Sequence, residues 1–227
     1  MAEETKDEPI IDVTEAYSKT EQFVVDNQKS LSIIVAAIVL MVGGFLAWKY
    51  WWVASQEKEA QKELYLAETY FAKDSLAKAI DGDGIAMGLV KVADEYGVTP
   101  SGNLAEFYLG VAYMKKGEFE KAIDHLKDFN SSDQMIGPIA LGDIGDCYVE
   151  LGKVDEGISY YLKAVSKNKN KFTSPLFLKK AGIAYESQKD YKNAVKVYER
   201  IKADYDKSSE GKEIDKYLAR AKALAGE

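Results

Sequence analysis

Few side chains in this sequence of 227 residues could perform acid–base, redox or metal chemistry, because it contains one histidine, His125, and one cysteine, Cys147. A single histidine cannot supply the paired histidines of common zinc sites, and it confines Ser-His-Asp catalysis to its own surroundings. His125 lies in a helical pattern among Lys121, Asp124 and Lys127, so we expect an exposed side chain without a partner. Cys147 alone excludes an intrachain disulfide bond and an iron–sulfur cluster, and we expect it to pack like a small buried alanine.

The run Asp81–Gly84 places two carboxylates two residues apart, as at the start of a calcium-binding loop. The next ligand position is Ile85, and the required glycine falls on Ala86, so we expect a turn without a metal ion. Neither a phosphate-binding P-loop nor a GxSxG nucleophile elbow occurs in the sequence. We therefore predict a protein that is not an enzyme and that needs no cofactor.

The charge balance excludes another class of function. The chain carries 30 Lys and Arg against 37 Asp and Glu, a formal net charge of −7. Proteins that bind nucleic acid need a basic face to neutralise phosphates. We therefore expect no nucleic acid partner.

Residues 31–48 form a run of eighteen positions without a charge. A helix of this length rises about 27 Å, close to the thickness of the hydrocarbon core of a bilayer. Lysines bracket the run and aromatic residues follow it, as is typical of residues at the membrane interface. We predict a transmembrane helix over 31–52 in contact with the lipid bilayer; the alternative is a buried core helix. The expected interface anchors are Lys29, Trp48, Lys49, Tyr50, Trp51 and Trp52.

Residues 1–30, which precede this run, are acidic. No signal-peptide cleavage site follows the apolar helix. We therefore expect an uncleaved anchor. Thr14 could begin a short helix that continues to Lys29 and turns Tyr17 and Phe23 towards the headgroups; a solvated tail is the alternative. Lysines near the span slightly favour a cytoplasmic C-terminus.

Three later segments repeat one spacing of small and aromatic residues. Gly110, Gly145 and Gly182 are each followed by Tyr three positions later, by Ala or Gly after twelve, and by a large apolar residue after sixteen. This spacing resembles the tetratricopeptide repeat, in which two antiparallel helices cross closely at the small residues and neighbouring pairs stack. We predict three such repeats over 103–208, with prolines at the joints between them.

The flanking segments extend this scheme. Residues 55–97 read as a degenerate first repeat, with one helix over 56–80 and a second over 84–96. Residues 211–226 read as a helix that caps the stack. The predicted fold is therefore all-α, a single N-terminal transmembrane helix followed by a tetratricopeptide-repeat superhelix and a capping helix.

The concave face of such a superhelix, lined by the first helix of each repeat, is the candidate binding surface. An alternative reading packs some of its aromatic residues against the helix that contains Leu64 and Phe71. Most positions of the Lys/Asn/Arg clamp found in chaperone-adaptor domains differ here, so we expect an extended or helical peptide segment. The candidate positions are Leu104, Phe107, Tyr108, Val111, Met114, Ile139, Asp143, Asp146, Val149, Leu176, Lys179, Lys180, Ile183 and Glu186.

A wider resemblance comes from the residues on both sides of the apolar run, 23–29 and 48–51. With the repeats, they resemble the YfgM-like family of ancillary subunits of the bacterial Sec translocon. Segments 99–103 and 213–217 resemble tetratricopeptide proteins of Bacteroidetes-type bacteria. The resemblance implies a single-pass protein of the inner membrane with a cytoplasmic N-terminus and a periplasmic repeat domain. It also implies the Sec channel, a periplasmic chaperone and exported client polypeptides as partners.

The sequence thus predicts a non-catalytic, membrane-anchored scaffold for protein interactions, as an accessory subunit of the Sec translocon. The alternative is an assembly scaffold for other envelope or secretion machinery. For the periplasmic orientation we follow the resemblance over the lysine distribution, because long C-terminal domains translocate largely regardless of charge.

Overall fold

The computed structural model describes residues 21–226, which divide between Ala54 and Ser55 into two units. Residues 1–20, with Thr14 and most of the predicted tail, lie outside the described residues. In the first unit, helix α1 is Gln28–Ala47 and continues as a π-helical segment, Trp48–Val53. None of the side chains of α1 is buried.

Helix α2 (Ala54–Ala72) begins at the boundary, and α3 (Leu76–Asp81) and α4 (Leu89–Tyr96) follow it in the second unit. The prediction of one helix over 56–80 was wrong, because Asp74 adopts a left-handed conformation with φ of 56° and separates α2 from α3. The buried residues of α2 are Ala60, Leu64 and Ala67.

The helix predicted to begin at Gly84 begins five residues later, at Leu89. Gly82, Gly84 and Gly88 all have positive φ, which interrupts the helical backbone. A β-carbon on Gly88 would also collide with the backbone of Asp81 and Gly82. The loop can therefore close only with glycine at this position.

Three helix pairs and a final helix follow. They are α5 (Pro100–Lys116) with α6 (Phe119–Asp128), α7 (Ile136–Glu150) with α8 (Val154–Lys167), α9 (Thr173–Ser187) with α10 (Tyr191–Asp204), and α11 (Ser209–Ala225). The predicted all-helical repeat fold is confirmed.

The repeated glycines lie where the two helices of a pair cross. A β-carbon on Gly110 would overlap the side chain of Leu126, and one on Gly182 would overlap the ring of Tyr198. At Gly145 it would lie 2.7 Å from the ring of Tyr161. Close helix packing therefore depends on a missing side chain in each pair.

Local signals in the sequence determine where several helices begin. Thr99 accepts a hydrogen bond from the amide of Gly102 at 3.0 Å, and Pro100 is the first residue of α5. Pro138 and Pro175 lie in the first turns of α7 and α9, where an amide has no intrahelical acceptor.

The apolar core follows the stack as two clusters. One extends from α2 to α7, and the other extends from α8 to α11. Helix α11 packs on α10 and buries Ile214, Leu218 and Ala221.

Candidate partner-binding surface

The first helices of the three pairs, α5, α7 and α9, carry the predicted concave positions on successive turns. At the α5 end, the predicted aromatic residues are half-buried against the core. Phe107 packs against Phe129 with ring centroids 5.2 Å apart, and Tyr108 meets the edge of Phe71 at 5.3 Å. Leu104 also borders this cluster. Tyr108 thus packs against the helix that contains Phe71, which is the alternative to a place on the open binding surface.

Charged candidates on α7 and α9 already form ion pairs within the stack. Lys180 lies 2.5 Å from Asp146, Lys179 pairs with Glu213, and Arg220 lies 2.6 Å from Glu186. Each pair is separated by 34 residues, which is about one repeat. These charges therefore join neighbouring repeats, in addition to lining the surface.

The hydroxyl of Tyr161 on α8 donates a hydrogen bond to Asp146 at 2.7 Å. Burial and this neighbouring carboxylate raise the pKa of the Tyr161 hydroxyl. Asp146 thus has a cation on one side and a neutral donor on the other. Asp146 therefore accepts charge-assisted hydrogen bonds from Lys180 and Tyr161 at the joint between repeats.

Asp143 lies one turn before Asp146 and is half-buried. Burial, together with the nearby carboxylate of Asp146, raises its pKa to about 7, although the ammonium of Lys180 acts in the opposite direction. Burial also raises the pKa of the Cys147 thiol to about 12. Cys147 is fully buried, as expected, and therefore has the environment of a packing residue.

An open depression of about 570 Å³ lies on the surface between the pairs α5/α6 and α7/α8. Met114, Asp146, Val149 and Lys180 line it and were predicted from the sequence. Phe119, Glu150 and Tyr161 also line it and were missed. Phe119 and Tyr161 belong to the second helices of their pairs, which the sequence argument excluded from the surface. Tyr161 occupies the large apolar position that recurs sixteen residues after each repeated glycine, and this recurrence could have identified it as a lining residue.

The remaining predicted positions lie outside this depression. Ile183 exposes 45% of its surface and Leu176 exposes 37%, so both present apolar area to solvent. Val111 and Ile139 are half-buried. The structure therefore brings four of the predicted residues together in one depression and distributes the others along the three helices.

His125 differs from the expectation of an exposed residue without a partner. Its Nδ1 atom lies 2.7 Å from a carboxylate oxygen of Glu106, and its ring stacks on Tyr113 with centroids 5.3 Å apart. Glu106 and Tyr113 belong to α5, and the antiparallel packing of α6 brings them to His125. The expectation was wrong because local sequence did not show this neighbour.

Asp81 ends α3, and residues 82–84 then form the expected turn. The carboxylate of Asp83 accepts hydrogen bonds from the amides of Ile85 and Ala86, both at 3.1 Å, and from the hydroxyl of Tyr70 at 2.5 Å. These donors hold the pKa of Asp83 at about 2. Within residues 21–226, no group of acidic, histidine and cysteine side chains has the arrangement of a metal site.

The predicted membrane anchors lie in the first unit. Helix α1 is long and apolar enough to cross a membrane, by length and composition. Trp48 and Trp52 stack at 5.9 Å, and Lys49 lies 5.9 Å from the ring centroid of Tyr50. Trp51 is the most exposed of these aromatic residues, at 84%. Lys29 lies in the first turn of α1 and is exposed.

Comparison with solved structures shows the same fold at low sequence identity. Two crystal structures of a kinesin light chain with nearly identical TPR-like repeats, from Podosopora anserina, superpose with a TM-score of 0.56 at 17% identity. The alignment covers 75% of this chain and 88% of that chain. The crystal structure of the MamA protein gives a TM-score of 0.54 at 15% identity, over 74% and 82% of the two chains.

At the sequence level, no curated protein matches this chain significantly. Residues 23–223 match the family described as a tetratricopeptide repeat-like domain. This match includes the whole apolar helix, the segment of α2 to α4 and the repeats. The chain is a member of the tetratricopeptide repeat-like domain family.

Proposed function

We propose that the protein is a membrane-anchored scaffold for protein interactions. The observation that carries the proposal is α1, whose apolar side chains are all unburied while the repeat unit has a complete core of its own. Each large apolar side chain left in water costs roughly 1.5–3 kcal/mol. A bilayer would remove that cost, with Lys29 and the aromatic residues of 48–52 at its two interfaces.

The repeat surface would hold the partner. The depression between Met114 and Val149 offers apolar contact, while Asp146 and Lys180 are already paired across its floor. This supports an extended or helical polypeptide that inserts an apolar side chain. A carboxylate terminus is disfavoured, because the cation it would need is engaged with Asp146.

We further propose that the anchor places the scaffold beside the bacterial Sec channel. The support is the resemblance of residues 23–29 and 48–51 to YfgM-like proteins. In this proposal the protein is a single-pass protein of the inner membrane, and its repeat unit is periplasmic. The repeats receive exported client polypeptides or a periplasmic chaperone.

Site-specific photocrosslinking in cells tests this proposal. A photoreactive amino acid at Val35 or Val42 in α1 reports the neighbour of the anchor, and one at Val149 reports the partner of the repeats. The proposal predicts adducts with Sec channel subunits from α1 and with polypeptides from Val149. Ser159, exposed on α8, is the control position for the repeats.

Two outcomes would contradict parts of the proposal. Adducts from α1 with envelope proteins alone would favour an assembly scaffold unrelated to the channel. Equal adducts from Val149 and Ser159 would remove the depression as the binding surface. Protease treatment of spheroplasts tests the orientation separately, since protection of residues 55–227 would contradict a periplasmic domain.

A further inference from the structure

The first helix of every pair begins at one edge of the repeat unit. The carboxylate of Glu57, near the start of α2, accepts hydrogen bonds from the amide and the hydroxyl of Ser101 at 3.0 and 2.8 Å. The side-chain amide of Asn170, in the loop before α9, donates a hydrogen bond to the carbonyl of Gln134, in the loop before α7, at 3.0 Å. We call this edge, with the loops 97–99, 129–135, 168–172 and 205–208, the joint edge. The chain also enters the repeat unit here, at Ser55.

Large apolar side chains are exposed along the joint edge. The exposed fraction is 73% for Phe172, 55% for Val98, 37% for Met135 and 36% for Ile136, where α7 begins. At the opposite edge, the described chain exposes two large apolar side chains, Ile85 and, in the last turn of α11, Leu224. The joint edge is therefore the more apolar of the two edges.

A basic loop accompanies the most exposed of these residues. Segment 167–172 alternates lysine with asparagine and ends at Phe172. The Asn170 side chain faces inward, where it accepts hydrogen bonds from the amides of Phe172 and Thr173, both at 2.8 Å. Lys167, Lys169 and Lys171 are exposed, and within residues 21–226 none of them forms an ion pair. We call this segment the lysine loop.

Acidic groups on the same edge are partly engaged. The carboxylate of Asp133 accepts from the amides of Met135 and Ile136 at 2.7 and 2.9 Å. Asp204, Asp206 and Glu210 border an open depression beside Phe172, together with Lys171 and Lys207. Lysines and carboxylates on the edge are similar in number, so the attraction for an anionic surface comes from the lysine loop itself and is moderate. A tether that keeps the edge near that surface would make a moderate attraction sufficient.

We propose that the joint edge docks on the headgroup surface of a bilayer that contains anionic lipid. Phe172 enters the interface, and Lys167, Lys169 and Lys171 contact the anionic headgroups. An aromatic ring beside unpaired lysines suits the membrane interface, where apolar contact and charge act together. The inference rests on the proposed function in one respect, since the anchor supplies the bilayer.

The test uses the full chain reconstituted into lipid nanodiscs with and without anionic lipid. A fluorophore on Ser132→Cys reports the joint edge, and one on Ser187→Cys reports the opposite edge; both serines are exposed. Cys147 is buried and its pKa is raised to about 12, so the label reacts at the new cysteine. Quenching by lipids with a headgroup nitroxide measures proximity to the surface. Co-elution with the disc reports the anchor separately.

We expect the label at position 132 to be quenched several-fold more than the label at 187, in anionic discs only. Replacement of Lys167, Lys169 and Lys171 by glutamate should lower the ratio of docked to undocked molecules on the order of a hundredfold. Phe172→Ser should also reduce the quenching. The matched control replaces Lys153, Lys189 and Lys192, which are exposed near the opposite edge, and should leave the quenching unchanged.

Three results would overturn the inference while co-elution with the disc persists. The first is equal quenching of the two labels in anionic discs. The second is unchanged quenching after the triple replacement in the lysine loop. The third is a label at position 132 that the lipid nitroxides do not quench but that an added acidic protein shields from solvent. That result would assign the lysines to a protein partner. Failure of the chain to co-elute would instead contradict the anchor.

Discussion

Gly182 leaves space for the fully buried ring of Tyr198 where α9 crosses α10. In the Gly182→Ala variant, the new methyl group must displace this ring or the helix. Such overpacking costs about 1–3 kcal/mol, whereas the higher helix propensity of alanine returns about 1 kcal/mol. We expect a net destabilisation of about 1 kcal/mol, the centre of this balance, in urea unfolding of the full chain in detergent.

The control for this prediction is Ser159→Ala, an exposed position on α8. It should change the free energy of unfolding by less than about 0.5 kcal/mol. If Gly182→Ala were as stable as the wild type, the close crossing of the two helices would not limit packing in this repeat.

Asp143 should make stability depend on pH. Its pKa in the folded protein is raised to about 7 by burial and by Asp146, so the folded state retains a proton that the unfolded state has lost. Between the unfolded pKa near 4 and the folded value, stability must therefore fall as pH rises. Lys180, Tyr161 and Cys147 face the same cluster from α9, α8 and α7.

The measurement is urea unfolding of the wild type and of Asp143→Asn at a series of pH values from 4 to 8. The difference between the two cancels groups that titrate in both. We expect Asp143→Asn to gain up to about 1 kcal/mol relative to the wild type for each pH unit between 5 and 7. A difference that stays constant over this range would contradict the assigned environment.

At the scale of helices, α11 is joined to α9 by charge as well as by apolar packing. Arg220 lies 2.6 Å from Glu186, whose side chain is only 13% exposed. Arg220→Ala should destabilise the repeat unit by about 1–2 kcal/mol, because a largely buried carboxylate loses its cation. Replacing Glu186 by glutamine in the same chain should recover part of the loss. Thermal unfolding of the four members of this cycle measures the coupling.

Lys202→Ala provides the comparison, since Lys202 and its partner Asp215 are both more than half exposed. We expect a change below about 0.5 kcal/mol there. Equal effects of Arg220→Ala and Lys202→Ala would mean that the pair with Glu186 behaves as an ordinary surface pair.

Sequence spacing predicted the helix pairs well because the signals are local or periodic. The glycine, tyrosine and proline positions recur once per repeat, and a capping residue such as Thr99 lies next to the helix it begins. The break at Asp74 was missed, since a left-handed residue other than glycine leaves no local signal. The pairing of His125 with Glu106 was also missed, because it depends on the register between two antiparallel helices.

The candidate surface was harder to predict than the fold. Repeat phase identified which side chains of α7 and α9 face one way, but it did not show that Asp146 and Lys180 neutralise each other. The separation of 34 residues between such partners is visible in the sequence. The pairing itself can be recognised only when the stacking of the first helices shows which turns are adjacent.

At the scale of the whole molecule, the chain joins an apolar helix with no buried side chain to a repeat unit with its own core. Membership of the tetratricopeptide repeat-like family accounts for the second part, and the fold is suited to binding protein segments. The scaffold proposal therefore depends most on whether α1 crosses a bilayer.

Alkaline carbonate extraction of membranes from cells that express the full chain tests this most directly. The wild type should remain in the membrane pellet, since carbonate removes only peripheral proteins. A variant with Ile38→Lys and Val42→Lys should move to the soluble fraction, because each lysine at the centre of a span costs about 2.5–3.5 kcal/mol. A wild-type chain that carbonate releases, or a double variant that stays in the pellet, would contradict the membrane anchor.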